Sequence, residues 1–381
     1  MNPRVEAIAG SLIREVAALK RPTSIDLGLG EPTLQPNRRH LDAAMAYALE
    51  YGLRYTPNAG ETELRAAIAS HYGYPGMDRT ENVCVTVGSQ EAMYVAIKAL
   101  LDAERDELLV VEPAFPSYVK MAALEGVAVR RVEMRQDEDF AFDAERIVAA
   151  VGERTRAVVI CSPCNPTARV LSRAAASHLA SALRARAGDP VWLIHDEIYR
   201  EQTYVADAGY LAAEYPWTIV TNSLSKSNAL TGLRLGWVLG PAEFVAQAVK
   251  VHAWATSCAD TFAQRVALHV FQTPGALSEH AAWYEGRRAD VLGDLRESGL
   301  RFIAPEGAFY ACVRLPEGVG STDAAYALVE RFDVVAIPGI AFGEGMEGWL
   351  RLSWVGTPES VRAGILRIAE YARQSTPFGR S

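Results

Sequence analysis

From about residue 83 to residue 250 the chain alternates short, almost unbroken apolar runs with longer segments of helical periodicity. No other feature restricts its fold as much. The runs at 83–87, 108–111, 127–132, 157–161, 191–195, 218–221 and 235–239 have strand length. Segments 91–101, 117–125 and 172–186 carry helical spacing between them. Strands that are apolar all round must be covered on both faces, and a strand–helix succession does this around a mostly parallel sheet. The expected class is α/β, a mostly parallel sheet with helices on both faces.

After about residue 275 the texture changes to a helical stretch at 276–297, strand-like pieces at 309–313 and 350–354, and a last helix from Pro358. This predicts a second, smaller α/β domain, since 381 residues exceed what one core usually serves. Near the N-terminus Val5, Ile8, Leu12, Ile13, Val16 and Leu19 repeat at helical spacing, which predicts one amphipathic helix docked on that domain. The expected division is a large domain at 36–274 and a discontinuous small one at 1–35 and 275–381.

A net charge of −8 gives no electrostatic footprint for nucleic acid or an anionic membrane. No apolar run approaches the roughly 18 residues that span a bilayer. Arg4, Glu6, Arg14 and Glu15 interrupt any signal-peptide core. Five thinly spread cysteines fit a reducing compartment, so the expected location is cytoplasmic.

In open α/β sheets ligands sit beyond the carboxyl ends of the strands, where four polar clusters of this sequence fall. The first, at 223–236, joins Ser223, Ser225, Lys226 and Arg234. A desolvated lysine can form an imine with an aldehyde, and Arg with hydroxyls can clamp a phosphate. Alone, a solvated loop is the better reading of the same residues. In the second, Asp196 ends an apolar run, and a buried carboxylate needs a partner such as a pyridinium nitrogen. Alone, a helix cap is the better reading of that Asp. The third, Gly88-Ser89-Gln90, makes a strand–Gly–helix turn suited to phosphate, although such turns use Gly for steric reasons too. The fourth, at 162–167, holds Asn165. It overlaps the pair Cys161 and Cys164, whose redox spacing is better read as packing, since zinc would need two more ligands. No metal is expected.

Together with Asn165-Pro166-Thr167 and Asp196-Glu197-Ile198-Tyr199, these stretches resemble the class I/II aminotransferases of fold type I, relatives of aspartate aminotransferase. The resemblance runs from Gly28-Leu29-Gly30-Glu31-Pro32 to Leu350-Arg351-Leu352-Ser353. It implies pyridoxal 5′-phosphate as cofactor and exchange of an amino group between an α-amino acid and a 2-oxo acid in two half-reactions. It implies that Lys226 holds the cofactor as a Schiff base and shuttles a proton, and that Asp196 keeps the pyridine nitrogen protonated. Asn165 and Tyr199 would hydrogen-bond the ring's phenolic oxygen, and Phe115 would stack on the ring. Ser223, Arg234 and the turn around Gly88, Ser89 and Gln90 would hold the phosphate, with Ser225 a helper. Arg351 with Gly30 would fix the substrate α-carboxylate. Tyr55 would reach the phosphate of a neighbouring subunit, which makes a homodimer with shared sites the expected assembly.

The sequence departs from that family's pattern in places. Ala168-Arg169 follows Asn-Pro-Thr where Gly is usual, so Ala168 is strained if the turn needs positive φ. Thr33 and Leu233 replace a frequent Asp and Trp. In one aspartate-using bacterial subgroup the position of Gln90 is a Lys that grips the distal carboxylate. Gln90 brings no charge, so aspartate is not expected to be strongly preferred, unless Arg169 supplies the cation. The nearest rival activity is a β-eliminating C–S lyase on the same fold. A non-catalytic module of a transcription regulator is not expected, because only about 25 residues precede Gly28.

Overall fold

The computed structural model describes residues 1–375. After β1 (Ile25–Asp26), seven strands follow: β2 (Val83–Thr86), β3 (Glu107–Glu112), β4 (Ala128–Glu133), β5 (Thr155–Cys161), β6 (Trp192–Asp196), β7 (Thr218–Ser223) and β8 (Gly236–Leu239). They form one sheet in the order β2-β8-β7-β6-β5-β3-β4. Strands β2, β6, β7 and β8 are buried along their whole length, with their aliphatic residues in the core and the polar residues Thr86, Asp196, Asn222 and Ser223 at the ends of β2, β6 and β7. Each large aliphatic side chain so buried contributes roughly 1.5–3 kcal/mol.

Helices cover both faces. The helix Gly88–Leu100 buries Ala92, Met93, Val95, Ala96 and Ile97 on its sheet-facing side. The helix Arg173–Arg184 opens on Ser172, whose side chain accepts from the Ala175 amide, and buries Ala176, Leu179, Ala180 and Leu183. The capping bond satisfies a backbone donor that the first helical turn leaves free.

All pairings in this sheet are parallel except those of β8, which runs antiparallel to both β2 and β7. The carboxyl ends of β2, β3, β5, β6 and β7 therefore lie along one edge. Since β8 runs the other way, its start lies on that same edge, and this brings Arg234 beside Ser223 and Gly88.

Four further strands, β9 (Phe302–Ile303), β10 (Tyr310–Arg314), β12 (Ile337–Pro338) and β13 (Trp349–Ser353), form an antiparallel sheet in the order β12-β13-β10-β9. Strand β11 (Val334–Val335) pairs in parallel with β1, and the Ser353 amide donates to Leu27 O at 2.7 Å. These bonds tie residues 25–27 to the C-terminal part of the chain.

The N-terminal segment differs from its sequence expectation. It forms two short helices, Pro3–Glu6 and Leu12–Ala18, rather than one. Gly10 lies between them, and the Ser11 side chain accepts from the Arg14 amide to start the second helix afresh. Only Ile13 and Val16 of the six periodic residues are buried.

Candidate active site

Beyond the shared carboxyl edge the structure opens into one cavity of about 530 Å³. It is lined by Ser89 and Gln90 after β2, Phe115 after β3, Asn165 after β5, Asp196 at the end of β6 and Tyr199 beyond it, and Ser225 and Lys226 after β7. Arg234 before β8, Gly30 after β1 and Arg351 on β13 also line it. Eleven of the residues singled out in the sequence thus meet here. Gly88 and Ser223 sit directly behind the lining. Gly88 adopts φ +78°, and a Cβ there would lie 2.6 Å from an Arg234 guanidinium nitrogen. The Ser223 side chain accepts from the Ser225 amide at 3.2 Å and so starts the short helix that carries Lys226. Tyr55 is not in the cavity. It is 91% exposed and lines a separate surface hollow with Tyr47, Tyr51 and Arg265.

Lys226 Nζ donates to Gly30 O at 2.7 Å. Burial lowers its pKa to about 8, and the nearby Arg351 charge acts in the same direction. Burial also raises the Asp196 carboxyl above its usual range, against donors that favour the anion. Those donors are the Tyr118 hydroxyl to Oδ2 at 2.7 Å, and the Thr221 hydroxyl and Ile198 amide to Oδ1 at 3.3 Å each. Arg351 donates to Asn165 Oδ1 at 3.0 Å and to Gly28 O. It lies between the rings of Tyr310 and Phe342, with centroids at 4.4 and 5.1 Å. Its Nε is buried with no hydrogen-bond partner among the described residues. The Tyr199 hydroxyl meets that of Tyr310 at 2.8 Å. Gly30 admits no side chain, because a Cβ would fall 1.8 Å from the Tyr310 oxygen.

Three contributors were not legible in the sequence. Tyr118 and Tyr310 act across 78 and 111 residues of chain, and no local pattern marks them. Arg14, read only as part of a docking helix, is an exposed residue that lines the cavity and makes no ion pair among the described residues. Arg169 does not line the cavity. Its guanidinium is engaged by Glu306 at 2.9 Å, so it is not a free cation for substrate. Ala168 does take the left-handed conformation, φ +57°, which costs an L-residue roughly 1–2 kcal/mol. Its carbonyl accepts from the amides of Glu306 and Gly307, which hold the turn in place. Cys161 and Cys164 are buried free thiols whose pKa values burial pushes up, and both donate to proline carbonyls.

A family model described as aminotransferase class I and II matches residues 22–368. The chain is 32% identical over 378 residues to an aspartate aminotransferase of Pyrococcus horikoshii, covering 96% of this chain and 95% of that one. It is 29% identical over 389 residues to an aromatic-amino-acid aminotransferase of Thermococcus litoralis, with 98% of each chain covered. Among solved structures, an aspartate aminotransferase from Thermus thermophilus with maleate superposes at a TM-score of 0.89 and 31% identity, covering 97% of this chain and 99% of that one.

Proposed function

Since the chain belongs to the class I and II aminotransferases and is an aminotransferase, we propose that its cavity holds pyridoxal 5′-phosphate joined to Lys226. The observation that carries this reading is the Lys226 amine, half-buried in the cavity wall, with its pKa lowered to about 8 and set among Asp196, Tyr199, Asn165 and Arg351. An amine so placed is in part neutral near pH 7.5, and only the neutral form attacks an aldehyde.

The remaining residues fit the group. Arg234 makes no ion pair among the described residues, and it faces the start of the helix Gly88–Leu100, whose first amides lack intrahelical acceptors. Those amides, Ser89, Gln90, Ser223, Ser225 and Arg234 would hold the phosphate. Asp196 would pair with the ring nitrogen, Tyr199 and Asn165 would donate to the phenolic oxygen, and Phe115 would lie against the ring. The unpartnered Arg351 Nε would turn to the substrate α-carboxylate, beside Gly30. When bound, pyridoxal phosphate supplies an electron sink for the substrate α-carbon. During transfer Lys226 Nζ carries the proton that leaves that carbon. The large part at 36–274 would bear the cofactor, and the discontinuous part at 1–35 and 275–381 would bring Gly30 and Arg351 to it. A cytoplasmic location belongs to this reading, supported by five free thiols.

Transfer and elimination differ in stoichiometry. Given an amino donor alone, the enzyme should release about one equivalent of 2-oxo acid per site, and resume only when a 2-oxo acid acceptor is added. Continuous release of pyruvate and ammonia from a β-substituted alanine would instead identify a lyase.

A homodimer with shared sites is part of the same proposal. Tyr55 is supported as a residue for a second copy's site by its exposure and its distance from its own chain's cavity. A heterodimer of Lys226→Ala and Tyr55→Phe chains would contain one site with Lys226 and Tyr55 both native. Cofactor retention in that site should match the parent, about tenfold or more tighter than in Tyr55→Phe homodimers, the scale of one hydrogen bond to a charged group. Retention equal to that of Tyr55→Phe homodimers would contradict sharing.

Donor choice follows from charge at the mouth. Gln90 donates to the Ser117 hydroxyl at 2.9 Å and offers no cation. Neutral donors should therefore be used at least as well as aspartate in single-turnover rate constant over apparent dissociation constant. A hundredfold aspartate advantage, about 2.7 kcal/mol, would overturn this, and its loss in Arg14→Gln would identify the cation responsible.

A further inference from the structure

Tyr310 stands where the two parts of the site meet. It comes from β10, yet its hydroxyl lies 2.8 Å from that of Tyr199 beyond β6, and its ring lies 4.4 Å from the Arg351 guanidinium of β13. It is 2% exposed, and its hydroxyl has no other hydrogen-bond partner among the described residues. Burial pushes the pKa of both phenols up, so both keep their hydrogens at neutral pH. The other titratable groups that face the pair are Arg351 from β13, Cys161 from β5 and Tyr284 from the helix Ala281–Ser298.

We propose that Tyr310 is a positioning residue that donates its hydroxyl hydrogen to the Tyr199 oxygen, reserves the Tyr199 hydrogen for the cofactor ring, and holds Arg351 in place with its ring face. The inference rests on the function proposed above. Tyr199 has one hydrogen to give and two directions in which to give it. An anionic phenolic oxygen on the ring is a stronger acceptor than a neutral phenol, so the Tyr199 hydrogen goes there. The Tyr310 hydrogen is then left to the Tyr199 oxygen, and a hydroxyl that accepts a bond becomes a better donor. A buried hydroxyl without a partner carries a desolvation cost, and Tyr199 is the partner that relieves it. The ring face does separate work. It presses on a guanidinium whose Nε must stay free for a carboxylate, and Phe at 310 would keep that contact while removing the hydroxyl.

The test is a pH titration of the cofactor absorbance in the holoenzyme, for Tyr310→Phe, Tyr310→Leu, Tyr199→Phe and the double variant Tyr199→Phe/Tyr310→Phe. Weakening the donor to the ring oxygen disfavours the deprotonated cofactor link, so Tyr310→Phe should raise the apparent pKa by about a few tenths of a unit, the roughly 10–30% that one bond in a chain adds to the next. Tyr310→Leu should show the same shift. It should also weaken binding of a non-reactive monocarboxylate about threefold to tenfold by loss of the cation–ring contact. In the Tyr199→Phe background the Tyr310→Phe shift should vanish, because it acts through Tyr199. A Tyr310→Phe enzyme that titrates like the parent, or a shift that persists without the Tyr199 hydroxyl, overturns the proposal. If Tyr199→Phe also leaves the titration unmoved, the site reading itself fails; if Tyr199→Phe shifts it and Tyr310→Phe does not, only the role of Tyr310 fails.

Discussion

Replacing Lys226 with Ala should reduce turnover by at least about a hundredfold to ten-thousandfold, the worth of one positioned proton carrier, and should leave no cofactor that borohydride fixes to the protein. The second outcome is the sharper one, since it identifies the bonded atom. Peptide mapping of the reduced parent should locate the label at Lys226, and a label on another lysine in Lys226→Ala would sink the assignment. The lowered pKa adds a pH signature. With a pKa of about 8, set first by burial and next by the Arg351 charge, about a fifth of Lys226 is neutral at pH 7.4, against about a thousandth for an ordinary lysine. Covalent capture of pyridoxal phosphate by the cofactor-free protein should therefore rise with pH and level off above about pH 8. A surface lysine would still be climbing at pH 9. Capture that fails to level off would mean that the reacting amine is not the buried one.

Why the place of Lys226 at the cavity could be read from the chain, while that of Tyr310 could not, has a physical basis. Lys226 and Asn165 follow, and Asp196 ends, strands with a short apolar run, so local composition marks where each run stops and its polar edge begins. Once strands share a direction, those edges must meet. The direction itself is not encoded locally. Strand β8 has the same apolar texture as its neighbours but runs antiparallel to β2 and β7, and only this reversal explains why Arg234, before a strand, joins groups that follow strands. Tyr118 and Tyr310 reach Asp196 and Tyr199 across long stretches of chain, and a tyrosine in an apolar run looks like core. The N-terminal segment failed for another reason. Its periodicity is real, but Gly10 and the Ser11 cap end one helix and start another, and the second of these brings Arg14 to the cavity.

Asp196→Asn is expected to separate stability from catalysis. Asp196 is buried, and burial raises its carboxyl pKa above that of the unfolded chain. A raised carboxyl pKa means that the folded state binds the proton more tightly, so this group's contribution to stability falls as pH rises through the unfolded and then the folded value. At neutral pH, above the ordinary carboxyl range, this group therefore disfavours the cofactor-free fold. Asn carries no charge, and its amide can still meet the Tyr118 and Thr221 hydroxyls that Asp196 now accepts from. Without cofactor, Asp196→Asn should melt at or above the temperature of the parent at pH 7.5, and the gap should close as pH falls. With pyridoxal phosphate the order should invert, because only the carboxylate rewards a protonated ring nitrogen with a charged partner. Catalysis should fall regardless of stability, since Asn cannot hold that proton while negative charge builds at the substrate α-carbon. A loss of a hundredfold to a thousandfold in kcat corresponds to about 2.7–4 kcal/mol, the scale seen when one preorganised electrostatic partner is removed. Calorimetric melts with and without cofactor, beside single-turnover rates, check both halves. A folded Asp196→Asn enzyme with near-parental rates would show that Asp196 is not the ring's electrostatic partner. A cofactor-free variant much less stable than the parent would show instead that the carboxylate is held mainly for the bonds from Tyr118, Thr221 and Ile198.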